Sequence, residues 1–562
     1  MSVIRCLIPG TAEGPVLASE IGLSFWGGVD PDNGLVIDAH HPLRGQKISG
    51  KILMLPTSRG SCSGSGVLLE LIHNGHAPAA LIFREPEEVL TLGALVSQKV
   101  FGAGVPVLRA SPEVFARLAK AENAEVTGTH LKFLNEKHPM NAEAAAVAKS
   151  PEDLAMQRGA HGPATQLAME ILLHFAAIKG ARELIDVRRA HIDGCILANS
   201  ANLRFAETFR DMKARVRVPT TMNAISVEQD RWRAQGVPIG FGVPANTLAE
   251  AYIEMGAQRS FTCAPYLLED APQAGEEIGW SESNAVVYAN TVLGARTEKH
   301  PDYLDLCIAL TGRAPLSGVY LKENRTARKV INVCGIDHCD DSFWPMLGYL
   351  AGIHAPDAIP LIRGVDQLKP AKDDLKALCA AFGTTSGAPM LHVGGVTPEA
   401  ASGAPDAPAI DLGPADFESV WDSFNTGSAK VDLVAFGSPH ASSSECHALA
   451  RALDGKRLSR EVTGIVTLGR ATLAAMRKDG TAATLEAAGV RLHADICWCS
   501  ITEPVFPPTA RVIMTNSGKY AHYAPGLSAR AVRFGSLSDC VVALLSGEAP
   551  NRPPDWLAPI SG

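Results

Sequence analysis

The sequence predicts an α/β protein built from a small N-terminal unit and a much larger region. A chain of 562 residues is too long for one ordinary hydrophobic core. Short apolar runs alternate with helix-length segments over most of the chain, which is typical of mainly parallel sheets covered by helices. A polar, alanine-rich stretch at residues 124–150 separates the two parts. We therefore expect an N-terminal unit at 1–145 and a large region at 150–562.

In the N-terminal unit, β-branched apolar runs between glycine and proline turns predict strands, and longer apolar runs predict helices. The expected strands are residues 2–9, 34–38, 51–56, 79–83 and 105–108, and the expected helices are 67–74 and 111–120.

The large region shows the same alternation with longer helices. The expected helices are residues 163–178, 202–214, 247–254, 303–310, 373–382 and 443–453. The expected strands are 183–187, 194–197, 330–333 and 431–436. Residues 402–414 predict a loop, and 550–562 predict a proline-rich tail.

Composition favours a metabolic enzyme acting on a small-molecule substrate. The net charge of −8, without a block rich in Lys and Arg, argues against nucleic acid or an anionic membrane as the partner. No apolar run reaches the roughly 18 residues that span a bilayer. The start, Met1 to Cys6, lacks the features of a secretory leader. A cytoplasmic location is expected, with a monomer as the working expectation for the oligomeric state.

The twelve cysteines are scattered along the chain, which is not the pattern of a disulfide framework. Most are expected to be small buried apolar residues. Cys497 and Cys499 form C-x-C rather than the C-x-x-C pair typical of zinc sites. Thiolates drawn from distant loops would instead suit an iron–sulfur cluster with one iron open to substrate.

Serines and glycines dominate residues 58–66, between a predicted strand and a predicted helix. Such a stretch can bring hydroxyls and bare backbone N–H groups to a helix start, where an anion is favoured. It lacks the lysine of a P-loop and the spacing of a dinucleotide-binding loop. By itself it is equally consistent with a flexible turn.

Polar, glycine-bearing clusters follow several predicted strands of the large region, where the ligands of α/β folds collect. Each could be a capped turn, because Ser, Thr, Asn and Asp are also cap and turn residues. Likewise His191 could be a core histidine, Glu282 a helix start and Lys519 a surface residue. The clusters are residues 190–194, 219–224, 262–266 with 280–290, 436–442, and 495–499 with 515–520.

Several strings resemble aconitase X, the divergent branch of the aconitase superfamily. The run G-K-I-L-M-L-P-T-S-R-G-S-C-S-G-S-G-V-L-L-E-L-I resembles its small swivel subunit. Five further strings resemble its large subunit: T-C-A-P-Y, E-S-N-A-V-V-Y-A-N-T-V-L-G-A-R-T, H-V-G-G-V-T-P-E-A, F-G-S-P-H-A-S and T-N-S-G-K-Y-A-H-Y-A-P-G. The resemblance covers nearly the whole chain. It implies an aconitase-like α/β fold, with a large multi-part catalytic domain and a small N-terminal swivel domain.

The two parts fused in one chain resemble the bacterial single-chain type of the family, which dehydrates cis-3-hydroxy-L-proline to Δ1-pyrroline-2-carboxylate. The resemblance thus implies a hydro-lyase. The archaeal two-subunit type dehydrates mevalonate 5-phosphate, so this compound or another 3-hydroxy acid is an alternative substrate. A cluster-free module that binds a small molecule is an alternative of another class.

The resemblance also implies roles for individual residues. Ser65 would be the base, helped by Lys519. The residues implied in substrate binding are Ser61, Ser63, His191, Asp193, Gly194, Asn223, Glu282, Ser283, Asn284 and Ser517.

For the metal site, Cys263 and Cys497 match ligand positions of the family. Ser438 stands where archaeal members commonly carry the cysteine of G-C-P-H. The third ligand must therefore come from elsewhere, and the two candidates are Cys334, placed first, and Cys499. With fewer family cysteines than usual, a smaller cluster such as [2Fe–2S] is expected.

Overall fold

The computed structural model describes residues 3–38, 41–59, 61–142, 146–400 and 407–557. Parts of several predicted segments lie outside the described residues, namely Ser2, Gly60, residues 402–406 and residues 558–562. No helix in the described ranges is both long enough and apolar enough to span a bilayer.

The N-terminal unit is a mixed sheet with helices against it. Its sheet order is β8-β7-β6-β2-β3-β4-β5-β1-β9, in which β2 to β5 run parallel. The elements are β1 Ile4–Ile8, β2 Ala12–Ala18, β3 Ile52–Leu55, α1 Gly64–His73, β4 Ala80–Phe83, α2 Val89–Phe101, β5 Val107–Ala110, α3 Pro112–Leu118, β6 Asn123–Val126, β7 His130–Phe133, β8 Glu136–Pro139 and β9 Asn141–Ala142.

The structure differs from the sequence-based prediction in several places here. The predicted strand at 34–38 forms only isolated bridges, from Leu35 to Lys47 and from Val36 to Val29. The helix predicted from residue 67 begins at Gly64, so Ser65 lies in its first turn. The strand Ala12–Ala18 was not predicted because its glycine and proline are unusual inside strands.

The first part of the large region surrounds a small parallel sheet in the order β12-β11-β13. A short antiparallel pair, β10 with β14, lies apart from it. The elements are α4 Pro151–Gln157, α5 Pro163–Ile178, β10 Leu184–Asp186, β11 Ala190–Ile192, α6 Ser200–Asp211, β12 Thr220–Met222, α7 Ile239–Glu254, β13 Gly279–Trp280, α8 Ser283–Tyr288, α9 Leu304–Thr311 and β14 Arg313–Pro315.

The strand predicted at 194–197 is wrong, because those residues form a turn and the strand is Ala190–Ile192. His191 therefore lies inside a strand, and Asp193 follows its carboxyl end. The helix predicted at 247–254 extends back to Ile239 in spite of Pro244.

Two further parallel sheets complete the large region, in the orders β17-β16-β15-β18 and β21-β20-β19-β22-β23. The first contains β15 Lys329–Val333, α10 Phe343–His354, β16 Pro360–Arg363, α11 Lys372–Thr385, β17 His392–Val393, β18 Ala409–Leu412 and α12 Pro414–Phe424. The second contains β19 Leu433–Ala441, α13 Ser443–Leu453, β20 Thr463–Leu468, α14 Arg470–Asp479, α15 Thr481–Ala488, β21 Arg491–Ala494, β22 Val512–Thr515, α16 Gly518–Ser528, β23 Ala531–Phe534 and α17 Leu537–Ser546.

The N-terminal unit shares a hydrophobic core with the first part of the large region. Polar contacts reinforce this interface. The buried Glu70 carboxylate, on α1, accepts hydrogen bonds from the Ser200 hydroxyl at 2.9 Å and from the Ala201 N–H at 2.8 Å, at the start of α6. The Lys179 ammonium lies 2.7 Å from Glu88 of the unit and 3.1 Å from Glu298. These contacts hold α1 and the N-terminal unit against the large region.

Candidate active site

The candidate site lies at the carboxyl ends of two parallel sheets of the large region, and the loop before α1 reaches it at Ser281. The strands β11, β12 and β13 lead at their carboxyl ends to Asp193, Asn223 and Glu282. In the other sheet, β21 leads to Cys497 and β22 leads to the start of α16, which carries Lys519. Ligands of parallel sheets bind at such ends, because loops from several strands converge there.

The loop serines of the N-terminal unit meet the large region at Asp302. The buried Ser65 hydroxyl donates to the Cys62 carbonyl at 2.9 Å and lies 3.4 Å from the Asp302 carbonyl. The half-buried Ser63 has its hydroxyl against the Asp302 carboxyl group. Ser61, also half-buried, accepts a hydrogen bond from the Ser63 N–H at 3.3 Å. All three serines therefore lie at or near the junction.

Gly66 is required by this close approach. A Cβ atom at Gly66 would lie 2.9 Å from the hydroxyl oxygen of Tyr303. A side chain there would push α1 away from the large region.

An ion pair between Lys519 and Glu282 crosses the site. The Lys519 Nζ lies 2.9 Å from the Glu282 carboxylate, which also accepts hydrogen bonds from Asn284 at 2.6 Å and Asn223 at 3.0 Å. Burial by itself raises the pKa of Glu282, but Lys519 and Asn284 outweigh it and lower that pKa to about 2. Burial lowers the pKa of Lys519, and the Glu282 charge more than reverses this. Both side chains are therefore charged at neutral pH.

Three aspartates form a buried acidic cluster beside the serines: Asp193, Asp302 and Asp305. Burial and the charge of Asp305 raise the pKa of Asp302 to about 7. Burial also raises the pKa of Asp305 to about 6. The pKa of Asp193 is raised as well, first by burial and then by the charges of Asp302 and Glu282. Protons are thus shared within this cluster near neutral pH.

His191 is a neutral histidine in the same wall. Its Nδ1 lies 2.8 Å from the Thr221 hydroxyl, and its Nε2 has no hydrogen-bond partner in the described part of the chain. Burial lowers the pKa of His191 to about 3. Its ring can therefore offer one nitrogen to a ligand without adding charge.

Three other predicted binding residues have structural partners. The Ser517 hydroxyl caps α16 by accepting from the Tyr520 N–H at 3.1 Å, and it donates to the Ser438 carbonyl. The Gly194 carbonyl accepts from the Tyr252 hydroxyl at 3.4 Å. Ser283 is the first residue of α8 and packs beside Gly383 of α11. These residues shape the wall of the site.

Three cysteines meet at the edge of the site, and Cys334 is not among them. Cys263, Cys497 and the less buried Cys499 pack together. Hydrogen bonds from Cys263 and Cys499 lower the pKa of the Cys497 thiol. Cys334, placed first by the sequence, is instead exposed beyond β15, in another sheet, and does not belong to this group.

The chemistry of this donor set fits an iron–sulfur cluster, since three thiols converge from two distant loops. In the described ranges, no group of three or more His, Cys, Asp or Glu side chains has the geometry to hold a metal ion. The buried His440 contacts both cysteine loops. Its backbone N–H donates to the Cys263 Sγ at 3.3 Å, and its ring Nε2 lies 2.9 Å from the Ile496 carbonyl.

The acids Asp302 and Asp305 were missed from the sequence, and His440 was noted only as a member of the cluster 436–442. The run H-P-D-Y-L-D spans the start of α9, where acidic residues ordinarily complement the helix dipole. The signal that could have found Asp302 is a proline and an aspartate just before a helix that is mostly apolar.

Family models match the chain along most of its length. The aconitase X swivel domain matches residues 2–133, the first domain residues 146–323, the second domain residues 327–422 and the third domain residues 431–546.

Known proteins agree with this assignment. The chain is 50% identical to a cis-3-hydroxy-L-proline dehydratase of Pseudomonas aeruginosa, over 99% of this chain and 98% of that protein. It is 46% identical to a protein of the same name from Hypocrea jecorina, over 98% and 96% of the two chains. The crystal structure of Thermococcus kodakaraensis aconitase X in its holo form superposes with a TM-score of 0.65 at 30% identity, covering 72% of this chain and 100% of that one. The expected aconitase-like fold is thereby confirmed, and the chain belongs to the aconitase X family.

Proposed function

We propose that this protein is a hydro-lyase that dehydrates cis-3-hydroxy-L-proline to Δ1-pyrroline-2-carboxylate. The full-length similarity to two proteins named for this activity supports the proposal. The structural observation that carries it is the meeting, in one buried site, of the loop serines, the Lys519–Glu282 pair and the three packed cysteines.

The reaction needs a base at C2 and help for a poor leaving group at C3. In the cis isomer, the C2 hydrogen and the C3 hydroxyl lie on opposite faces of the ring. The base and the groups that assist the leaving oxygen must therefore face each other across the substrate. The loop serines belong to the N-terminal unit and the cysteines to the large region, so the two sets reach the site from different parts of the fold, which suits this requirement.

Ser65 is proposed as the base, because its hydroxyl reaches the large region from the first turn of α1. A serine hydroxyl is a weak base and needs preorganised electrostatic help. Backbone N–H groups at the start of α1 can supply it. To act, the hydroxyl must turn away from the Cys62 and Asp302 carbonyls to which it is close.

Lys519 is proposed to act on the side of the leaving oxygen rather than on the serine. Its charge is held by Glu282, and it lies near the thiols of Cys263 and Cys499. From there it can stabilise negative charge that develops as the C3 hydroxyl departs. Cys263, Cys497 and Cys499 would hold an iron–sulfur cluster, which supplies a Lewis acid for that hydroxyl when bound.

The charges in the site argue against mevalonate 5-phosphate as the substrate. Mevalonate 5-phosphate carries a carboxylate and a phosphate, which call for several cationic or N–H partners. The wall described above instead combines Lys519 with Glu282 and three buried aspartates. A zwitterionic amino acid is the better match for this balance.

The proposal is tested by assaying anaerobically purified, iron-reconstituted protein with cis- and trans-3-hydroxy-L-proline and with mevalonate 5-phosphate. Consumption of the cis isomer, with formation of Δ1-pyrroline-2-carboxylate, is expected. Turnover of the phosphate alone would overturn the choice of substrate. A colourless protein that binds hydroxyproline without converting it would support a binding module instead.

A further inference from the structure

The acidic cluster of Asp193, Asp302 and Asp305 contains a carboxyl group with an unsatisfied oxygen. The Asp305 carboxylate accepts the N–H of Asp193 at 2.7 Å and that of Leu306 at 2.7 Å. Asp193 accepts from the Asn223 side chain. By contrast, the Oδ1 of Asp302 is fully buried and has no hydrogen-bond partner among the described residues. Ser63 and Asp193 are hydrogen-bonded to this carboxyl group, so Oδ1 alone is left without a partner. A buried carboxyl oxygen without a partner is costly, so the position is poised for a ligand that brings a donor.

The charges around Asp302 define what that ligand must carry. The titratable groups that act on it most strongly are Asp305, Asp193 and Glu282, which are all acidic. Tyr303, on the same turn, adds a hydroxyl whose pKa burial raises well above its ordinary value. The positive charge of Lys519 neutralises the charge of Glu282 only, because the two side chains form an ion pair. The remaining acids attract a cation, and the ionised form of each is favoured once a cation is bound.

We infer that Asp302, supported by Asp193, binds the ring ammonium group of the substrate. This inference rests on the proposed function and names the substrate class for that site, a 3-hydroxy amino acid with a protonated amine. In 3-hydroxyproline the ring nitrogen is bonded to C2, the carbon that loses its proton. An ammonium held at Asp302 therefore places C2 near the loop serines, since the Ser63 hydroxyl lies against the Asp302 carboxyl group and the Ser65 hydroxyl lies 3.4 Å from the backbone carbonyl of the same residue.

A contact between Asp302 and an ammonium group also excludes phosphorylated hydroxy acids such as mevalonate 5-phosphate, the alternative substrate class. A phosphorylated hydroxy acid has no cation to offer Asp302, and its negative groups would be repelled by the acidic cluster. Asp302 would thus act as a specificity-determining residue.

Binding should also be linked to proton release. Near pH 6.5, part of the Asp302 population is protonated, because the pKa of this group is about 7. Only the ionised form pairs with an ammonium group, so binding displaces that proton. Affinity for an amine ligand should therefore weaken as the pH falls through 7.

The test uses two probes and isothermal titration calorimetry on the reconstituted holoprotein. L-Proline carries the ammonium group, whereas pyrrole-2-carboxylate has the same carboxylate on an uncharged ring. Asp302→Asn should weaken L-proline binding by about tenfold or more, since it removes a charge-assisted hydrogen bond. It should change pyrrole-2-carboxylate binding by less than about threefold, because no charged contact is lost. Asp341→Asn is the control, since Asp341 is a half-buried aspartate whose pKa burial also raises to about 7, and its carboxylate accepts the Leu537 N–H at 2.8 Å rather than belonging to the acidic cluster.

Titrations at pH 6.5 in two buffers of different ionisation enthalpy should show proton release with L-proline in wild type but not in Asp302→Asn. The inference is overturned if both probes weaken equally, if L-proline binding is unchanged, or if wild type does not bind L-proline at pH 8. Failure of the proposed function is seen separately, as absence of dehydratase turnover by wild type. The binding pattern could survive that failure.

Discussion

The Lys519 ammonium lies 2.9 Å from the Glu282 carboxylate, and both groups are charged inside a site from which water is almost excluded. Two amides, from Asn223 and Asn284, hold the carboxylate in place. An ion pair in such surroundings fixes the position of a positive charge more tightly than a surface lysine could. That fixed charge is what the proposed leaving-group step requires.

Lys519→Met should lower kcat/KM for cis-3-hydroxy-L-proline by about a hundredfold or more, since it removes a preorganised charge. It also leaves Glu282 buried without a cation, so stability should fall. Steady-state kinetics and thermal unfolding measure the two effects. Arg313→Met is the matched control, because Arg313 pairs with the buried Asp153 at 2.9 Å outside the site. Equal losses of kcat/KM in the two variants would remove Lys519 from the mechanism.

Ser65→Ala should reduce kcat by about a thousandfold, within the range that general bases contribute. The visible spectrum of the reconstituted protein should be unchanged, because the cysteines are untouched. Ser61→Ala and Ser63→Ala are the comparisons, and smaller losses of kcat are expected for both. If Ser63→Ala were the inactive variant, the base would be Ser63.

Cys499→Ser should abolish iron binding after anaerobic reconstitution, whereas Cys334→Ser should bind as much iron as wild type. Cys499 packs against the other two cysteines, and Cys334 is exposed beyond β15. Iron analysis and visible absorption report the result independently of activity. The opposite pattern would restore Cys334 as the third ligand.

Asp302→Asn should make the protein more stable at pH 8 although it impairs ligand binding. The pKa of Asp302 is about 7 in the folded protein, above the roughly 3.9 of an unfolded aspartate. The folded state therefore binds more protons between these values, and this carboxyl group lowers stability as the pH rises through that window. An increase in Tm of about 2 °C or more at pH 8 is expected, shrinking towards pH 4. A lower Tm at both pH values would contradict the assigned shift.

Glu70→Ala should destabilise the contact between the N-terminal unit and the large region. It leaves the Ala201 N–H and the Ser200 hydroxyl without their acceptor, which costs about 1–3 kcal/mol. A lower Tm and faster proteolysis are expected. Glu125→Ala, which removes an exposed pair with Lys132, should have little effect.

Local pattern predicted much of the fold. The helices Pro163–Ile178 and Ser443–Leu453 agree with the prediction to the residue, because each shows a clear apolar face with a start signal. Helix α2 was missed because it is buried along most of its length, so its apolar run lacks the polar face that identifies a helix. The strand predicted at 194–197 was misplaced because these apolar residues form a turn that packs against the core, rather than a strand.

The residue types in the site could be predicted from the sequence, but the distances between these residues could not. The motif around Glu282 and the one around Lys519 could be recognised separately, but only the fold brings them within 2.9 Å. The choice between Cys334 and Cys499 likewise needed the sheets, since both cysteines follow apparent strands. Asp302 resembled a helix cap, and its role follows from burial, which sequence pattern does not report.

The fit of Gly66 against Tyr303, with Glu70 bound to α6 one helical turn further on, means that one short helix carries both the proposed base and its anchor. The Ser65 and Asp302 side chains are both buried while that anchor is in place. A loosening of this one helix would uncover both side chains together, so the strength of the Glu70 contact would also govern how readily ligands exchange.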